Sequence, residues 1–372
     1  MSRYAPGAVM LRAALRRMEP YTPGEQPRPG EQVLKLNTNE NPYPPAPGVI
    51  RAIRRAAAAD SLRRYPPPRA DRLVQSASRL YGLPPQMILA GNGSDELLAL
   101  LFRAALGPGD RVAYAAPTYS LYATLAAMQE AQVVAVPMAA DFSLPVVRLA
   151  AARARLTIVC NPNSPSGTFT AIDEIDRLAA RLGSRLLVVD EAYVDFAEAD
   201  ALGLVGRHAN LAVVRSLSKS FSLAGMRVGL LFAAPVVVDA LLKVKDSYNL
   251  SAPAIAAGAQ ALEEVGWMRR NAAKIKATRR MAEARLRRIG FAVPPSAANF
   301  VLARLAGHNL EGVARQLRRQ GILVRHFADA LPDALRISIG TPGQMARLFR
   351  ALEPLMRRLG VSRVNGRAER CG

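Results

Sequence analysis

Cysteine is almost missing from this chain: among 372 residues there are two, Cys160 inside an apolar run and Cys371 near the end. So thin a supply argues against a disulfide framework and makes a reducing cytosol the default expectation, hence a cytoplasmic protein. Histidine is scarce too. His208, His308 and His326 are scattered, and no carboxylate–histidine spacing fits a metal site, so no metal is expected. No apolar run reaches the roughly 18 residues that span a bilayer. The opening, MSRYAPGAVMLRAALRRMEP, lacks a continuous hydrophobic segment with a small-residue cleavage site and does not read as a signal peptide. Internal repeats and low-complexity segments are also absent.

Lysine is the next scarcity. Of 50 basic residues six are lysines (Lys35, Lys219, Lys243, Lys245, Lys274 and Lys276), and five of these lie in ordinary polar or helical surroundings. Lys219 sits in SLSKSFSLAGMRVG, Ser216 to Gly229, with Ser216 and Ser218 before it and Arg227 eight residues after. An amine serves as a covalent catalyst when it forms a Schiff base with a carbonyl and its pKa is lowered by burial or a neighbouring cation. Hydroxyls and an arginine nearby suit a carbonyl compound that also carries a phosphate. A solvated lysine in a serine-rich turn fits this stretch alone equally well.

The formal net charge of +21 favours anionic substrates. It does not indicate a specific nucleic-acid partner: the arginines are dispersed through helical patterns such as TRRMAEARLRRIG, with neither aromatic interleaving nor zinc-finger spacing. Half of the residues are hydrophobic, enough for a sizeable core.

In chain order, residues 1–48 are rich in Pro, Gly and Arg and read as an extended arm, packing on the small domain or on a partner subunit. VLKLNTNENPYPPAP follows, with Asn37 to Asn41 placed in a loop, where asparagines bond a ligand or, more commonly, close Asx-turns. Helical patterns then cover Gly48 to Asp60 and Arg69 to Tyr81. A strict alternation begins at MILAGN and runs through RVAYAA, VVAVPM, LTIVCN, RLLVVDEAY, LAVVRS and VGLLFA, with amphipathic helices between most of them. This predicts an α/β fold: a large domain, residues 49–276, with a mostly parallel seven-stranded sheet covered by helices on both faces. A smaller α/β C-terminal domain, 277–372, contains the strands NFVLARL, GILVRHF and LRISIG, and the boundary falls inside a long helix near Ala277.

Ligands of such sheets bind beyond the carboxyl ends of the strands. GNGSDE, Gly91 to Glu96, follows the first strand and opens a helix, with Ser94 as the expected N-cap; its free N–H groups make either an anion site, with Asp95 and Glu96 pointing away, or a plain capped helix. Tyr119 in APTYSLY stacks on a flat ligand or is core. Asp190 ends the apolar run LLVVD and needs a partner there, such as a protonated ring nitrogen or an arginine. Tyr193 lies three residues on, and NPNSPSG, Asn161 to Gly167, supplies polar groups on a proline-fixed turn.

Taken in order, APTY, NPNSPSG, VVDEAY and SLSKSFSLAGMRVG resemble the fold-type I aminotransferases that use pyridoxal 5'-phosphate. The resemblance extends from LNTNENPYPPAP to LRISIG, and the arm, RYP and chain length are most similar to the histidinol-phosphate aminotransferases. It implies that Lys219 holds the cofactor aldehyde as a Schiff base and moves the substrate proton. It further implies that Asp190 pairs with the pyridine nitrogen, Tyr193 bonds the phenolic oxygen and Tyr119 stacks on the ring. The N–H groups of Ser94 and Asp95, with Ser216, Ser218 and Arg227, would hold the phosphate, and Tyr65 would reach the phosphate in a neighbouring subunit, which implies a homodimer with shared active sites. The family's NNPTG is NSPSG here, which leaves Asn161, Asn163 or Ser164 for the phenolic oxygen.

By the same resemblance Arg336 in LRISIG binds the substrate anion, with Arg325 as helper, Tyr21 closing over the site and Asn299 nearby. The implied reaction moves an amino group from glutamate to the phosphorylated keto acceptor imidazole-acetol phosphate, in histidine biosynthesis. A decarboxylase of phosphothreonine type and a broad aromatic aminotransferase share these motifs. A DNA-binding regulator on the same fold would need an added module, for which the chain has no room before Leu34.

Overall fold

The computed structural model describes residues 12, 15, 16, 18 and 20–360; Cys371 and most of the first 19 residues lie outside that set. Seven strands make the larger sheet: β2 (Ile88–Asn92), β3 (Arg111–Ala116), β4 (Gln132–Pro137), β5 (Leu156–Cys160), β6 (Leu186–Asp190), β7 (Leu211–Ser216) and β8 (Val228–Ala233). Their order is β2-β8-β7-β6-β5-β3-β4. All pairings are parallel except those of β8, which runs antiparallel to both β2 and β7.

The central strands are mostly apolar because both faces are covered. Along β6, Val188 packs with Leu97, Leu98 and Leu101 of helix α1 (Gly93–Ala105), while Val189 faces the opposite core with Leu73, Ala257 and Ile275. Period-2 alternation therefore divides one strand between two cores. Asp190, the next residue, is where the apolar run stops and the chain leaves the sheet.

Four strands make the second sheet, in the order β1-β10-β11-β9, from β1 (Leu34–Leu36), β9 (Phe300–Arg304), β10 (Ile322–Phe327) and β11 (Leu331–Ser338). β1 was not expected. VLKLN has only three residues with ladder partners, too few for a period to show, yet Leu34 and Leu36 are buried and pair in parallel with Ile322 and Val324. The arm segment thus joins the C-terminal sheet. A 24-residue helix, α2 (Val265–Arg288), runs through position 277 between the two sheets. The helical pattern expected from Gly48 to Asp60 is broken into Pro47–Ala56 and Ala59–Leu62. No described helix is long and apolar enough to cross a membrane.

Candidate active site

Five strands of the large sheet point their carboxyl ends at one cavity of about 270 Å3, and the next residues of each line it: Ser94 after β2, Tyr119 after β3, Ser164 after β5, Tyr193 after β6, Ser218 and Lys219 after β7. Arg227 joins them because it immediately precedes β8, whose reversed direction brings its amino end to the same edge. The second sheet closes the cavity with Arg325 and Arg336, which face each other across the β10–β11 pair. Tyr21 comes from the arm.

Lys219 and Asp190 line this cavity together. Burial lowers the Lys219 ammonium to about 8, with the Arg336 cation adding to the effect. Its Nζ donates to the Thr38 carbonyl at 3.0 Å and lies 5.9 Å from the Tyr193 ring centroid. Burial raises the Asp190 carboxyl to about 6, even though the Tyr122 hydroxyl donates to it at 2.7 Å and the Ala192 N–H at 3.1 Å. The Tyr193 hydroxyl accepts from Asn39 Nδ2 at 3.0 Å, and burial pushes it up to about 12.

Arg336 is part-buried and has no carboxylate partner among the described residues. Its guanidinium donates to Ser164 Oγ at 2.9 Å and the Asn37 carbonyl at 3.0 Å, packs against Phe300 and Phe327, and keeps Nε unpaired. Such a cation is costly to bury, and an anion entering the cavity would offset that cost. Arg325, by contrast, donates to the carbonyls of Thr22 and Pro23 at 3.2 Å each and so straps the arm.

At the other end of the cavity the first turn of α1, Arg227, Ser216 and Ser218 converge. Arg227 Nη1 lies 3.4 Å from Ser218 Oγ, and Ser218 N–H donates to Ser216 Oγ at 3.2 Å. Gly93 has φ +80°, and a Cβ there would meet Arg227 at 2.5 Å; one on Gly229 would meet the Gly93 carbonyl carbon at 2.5 Å. Backbone and guanidinium therefore close around a space that an anion can fill.

The profile of the family described as aminotransferase class I and II matches residues 31–352. The chain belongs to that family. It is 43% identical to histidinol-phosphate aminotransferase 1 of Trichormus variabilis over 348 residues, 93% of this chain and 99% of that one. It is 45% identical to the histidinol-phosphate aminotransferase of Rhodopirellula baltica over 359 residues, 95% of this chain and 98% of that one. The crystal structure of histidinol-phosphate aminotransferase from Sinorhizobium meliloti in complex with pyridoxal-5'-phosphate superposes with a TM-score of 0.86 at 27% identity, covering 96% of this chain and all of that one.

The residues of this aminotransferase fit such a cofactor. A part-buried amine without a carboxylate partner among the described residues, a buried carboxyl and a cup of N–H, hydroxyl and guanidinium groups surround one cavity, and among the described residues the buried Thr38 Oγ1 beside it has no partner. Several expected placements change. Ser94 is not the N-cap: Asn92 is, and its N–H is held by the Glu96 carboxylate. The Asp95 carboxylate does not point away; it pairs with Arg227 at 3.1 Å and lies 3.4 Å from the Tyr119 hydroxyl, because Arg227 is the nearest cation. Tyr119 precedes the helix Leu121–Met128 rather than lying on it, and its ring meets Tyr21 and Tyr122 edge-on.

Asn163 is off the cavity, its amide satisfied by Thr118, Ser166 and the Pro117 carbonyl; Asn161 is satisfied by Thr170. Of the three candidates Ser164 alone lines the cavity. Asn299 also lies off it, donating to the Asn39 carbonyl at 2.9 Å. Tyr65 is 80% exposed and stacks on Tyr248, outside this chain's own cavity.

Sequence reasoning missed Tyr122 and underrated the segment Asn37–Asn41. Thr38 takes the Lys219 amine, Asn39 holds Tyr193, and Asn41 Nδ2 donates to the carbonyls of Lys219 and Ser220 while its Oδ1 closes an Asx-turn on Tyr43. Asn41 thus closes an Asx-turn with its oxygen and holds the lysine-bearing loop with its nitrogen.

Proposed function

We propose that this aminotransferase moves an amino group from glutamate, through pyridoxal 5'-phosphate, to imidazole-acetol phosphate, giving histidinol phosphate. The observation that carries the reading is the pairing of Lys219 and Asp190 on one cavity with the unpartnered Arg336. The names of the relatives at 41–45% identity support the substrate.

When bound, the cofactor supplies an electron sink for the bond broken at the substrate Cα. Lys219 Nζ would hold the cofactor through its aldehyde group, and as a free amine would take the proton from the substrate Cα and hand it back. An amine whose proton affinity is already lowered by burial and Arg336 does this near neutral pH. Asp190, held by Tyr122 and the Ala192 N–H, would keep the ring nitrogen protonated. Tyr193 and Ser164 would face the phenolic oxygen, and Tyr119 the ring. The Ser94 and Asp95 N–H groups, Ser216, Ser218 and Arg227 would take the cofactor phosphate. Arg336 would bind in turn the carboxylate of glutamate and the phosphate of the acceptor, with Arg325 fixing the arm and Tyr21 excluding water. Asn163, Asn299 and Asn39 would position these groups rather than touch substrate.

The same reading includes a homodimer in which Tyr65 completes the neighbouring site, and a cytoplasmic setting consistent with Cys160 as a buried free thiol. It also divides the chain into an arm, 1–48, a cofactor domain, 49–276, and a small domain, 277–372. Incubating the purified holoenzyme with histidinol phosphate and 2-oxoglutarate should yield glutamate. Turnover of aromatic amino acids but not of histidinol phosphate, or CO2 release from phosphothreonine, would replace this substrate assignment with one of the two enzymatic rivals.

A further inference from the structure

Two segments that end in the active-site cavity are tied together behind it. β6 leads to Tyr193 and then to a short 3-10 turn, Val194–Phe196; β7 leads to Ser218, Lys219 and Ser220. Tyr193 and Lys219 face the cavity, whereas Asp195 and Ser220 do not line it. Ser220 Oγ instead donates to Asp195 Oδ2, and Ser220 is buried at 2% exposure. Asp195 opens on a separate cavity of about 430 Å3, shared with Tyr81, Asp200 and Arg215.

We propose that Asp195 is a positioning residue for Lys219: through the Ser220 hydroxyl, its carboxylate sets the spacing between the lysine-bearing loop and the tyrosine-bearing turn. The inference deepens the reading of Lys219 as the reactive amine and rests on it. Asn41 already fixes the loop by the carbonyls of Lys219 and Ser220, at 3.0 Å each. Those two contacts hold main-chain atoms of the loop, and the Leu223 N–H closes the loop on the Leu217 carbonyl at 3.1 Å. The Ser220–Asp195 bond ties the loop, through a side chain, to the turn that follows Tyr193, and as a hydroxyl-to-carboxylate bond it is about twice as strong as a neutral one. With both anchors Nζ is held part-buried beside Arg336. With one, the amine gains access to water and its proton affinity returns toward that of an ordinary lysine.

The test uses the full chain without cofactor. Acylation of Lys219 by acetic anhydride is followed against pH by peptide mass, in the parent, Ser220→Ala, Asp195→Ala and the double variant. Each single variant should raise the midpoint by about one unit, and the double variant should go no further, because both remove one bond. Asp195→Asn, which keeps an acceptor, should shift it less. Water in the second cavity can rehydrate Asp195 in Ser220→Ala, so that variant decides the matter even if Asp195→Ala does not fold. With pyridoxal phosphate added, the pH midpoint of its absorption band should move in the same order while substrate KM stays unchanged. Midpoints equal to the parent's, or a double variant whose shift is the sum of the singles, would overturn the proposal. A parent that binds no cofactor would overturn the proposed function instead, and the acylation profile would still decide this one.

Discussion

Arg325 and Arg336 stand opposite each other on adjacent antiparallel strands and neither meets a carboxylate among the described residues, yet Arg325 makes both of its bonds to the Thr22 and Pro23 carbonyls, whereas Arg336 bonds Ser164 and the Asn37 carbonyl and keeps a buried N–H unpaired. The unpaired Nε–H of Arg336 is a donor ready for a substrate anion. Arg336→Lys keeps the charge but loses the planar fork and the contact with Phe300 and Phe327. It should raise KM for the acidic donor by about 10- to 100-fold, the effect of losing a charge-assisted bidentate contact, with little change in cofactor binding. An unchanged KM in steady-state assays would remove Arg336 from the substrate site.

Arg325→Ala tests the other half of that division. Without its bonds to Thr22 and Pro23 the arm loses an anchor, so Tyr21 should sit less often against Tyr119. Limited proteolysis should cut the arm faster, and kcat should fall more than donor affinity. A donor-affinity loss equal to that of Arg336→Lys would place Arg325 on the substrate instead.

The parallel sheet was legible because strands buried on both faces have to be mostly apolar runs, and most of the strands alternate with helices. Asp190 was legible for the same reason, being polar where an apolar run stops, and Lys219 stood out as a rare lysine among serines with an arginine close behind. Less legible was anything that depends on partners distant in sequence. β1 has three paired residues, and its partner β10 lies almost 300 positions on, so no local period marks it. Tyr122 looks like one more apolar position of a helix, and only the fold shows its hydroxyl on Asp190. Asn163 and Ser164 are neighbours of similar polarity; the turn sends one amide into Thr118 and Ser166 and leaves the serine facing Arg336.

Asp190 gives the site a predictable response to acid. Its carboxyl titrates near 6 because burial outweighs the Tyr122 and Ala192 hydrogen bonds. A raised carboxyl means that the folded chain holds a proton the unfolded chain has lost, so between about 4 and 6 the cofactor-free protein loses stability as pH rises. Pairing with a ring cation needs the ionised form, so cofactor affinity should fall as pH drops through about 6. Asp190→Asn should weaken affinity at pH 7 and flatten this component of the pH profile, which separates it from titration of the cofactor phosphate. Tyr122→Phe should move the component to higher pH, since it removes a bond that favours the anion. Equilibrium dialysis at a series of pH values measures all three.

Lys219 acts on stability with the opposite pH window. Its folded value, about 8, lies below the ordinary 10.5, so the folded chain releases a proton that the unfolded chain keeps. Stability of the cofactor-free protein should rise between those two values, and the penalty for the buried charge is complete below pH 8. Lys219→Met removes that penalty. It should stabilise the cofactor-free protein at pH 7 by about 1–2 kcal/mol, less than the full shift implies because Lys219 is only part-buried. The gain should vanish near pH 10.5. Urea unfolding at pH 7 and pH 10.5 checks it, and a variant less stable at pH 7 would contradict the burial argument.

Tyr65 decides whether two chains build each site. It is exposed, stacked on Tyr248 and absent from its own cavity, so any loss of activity in Tyr65→Ala has to act on a neighbouring chain or through the Tyr65–Tyr248 stack. Mixing that variant with Lys219→Ala separates the two routes. In a shared-site homodimer, the mixed dimer holds one site with both defects and one with neither. Random exchange makes about half of the dimers mixed, so about one quarter of the parent's activity should return from two inactive proteins. If each chain builds its own site, every site in the mixture carries one defect and no activity returns.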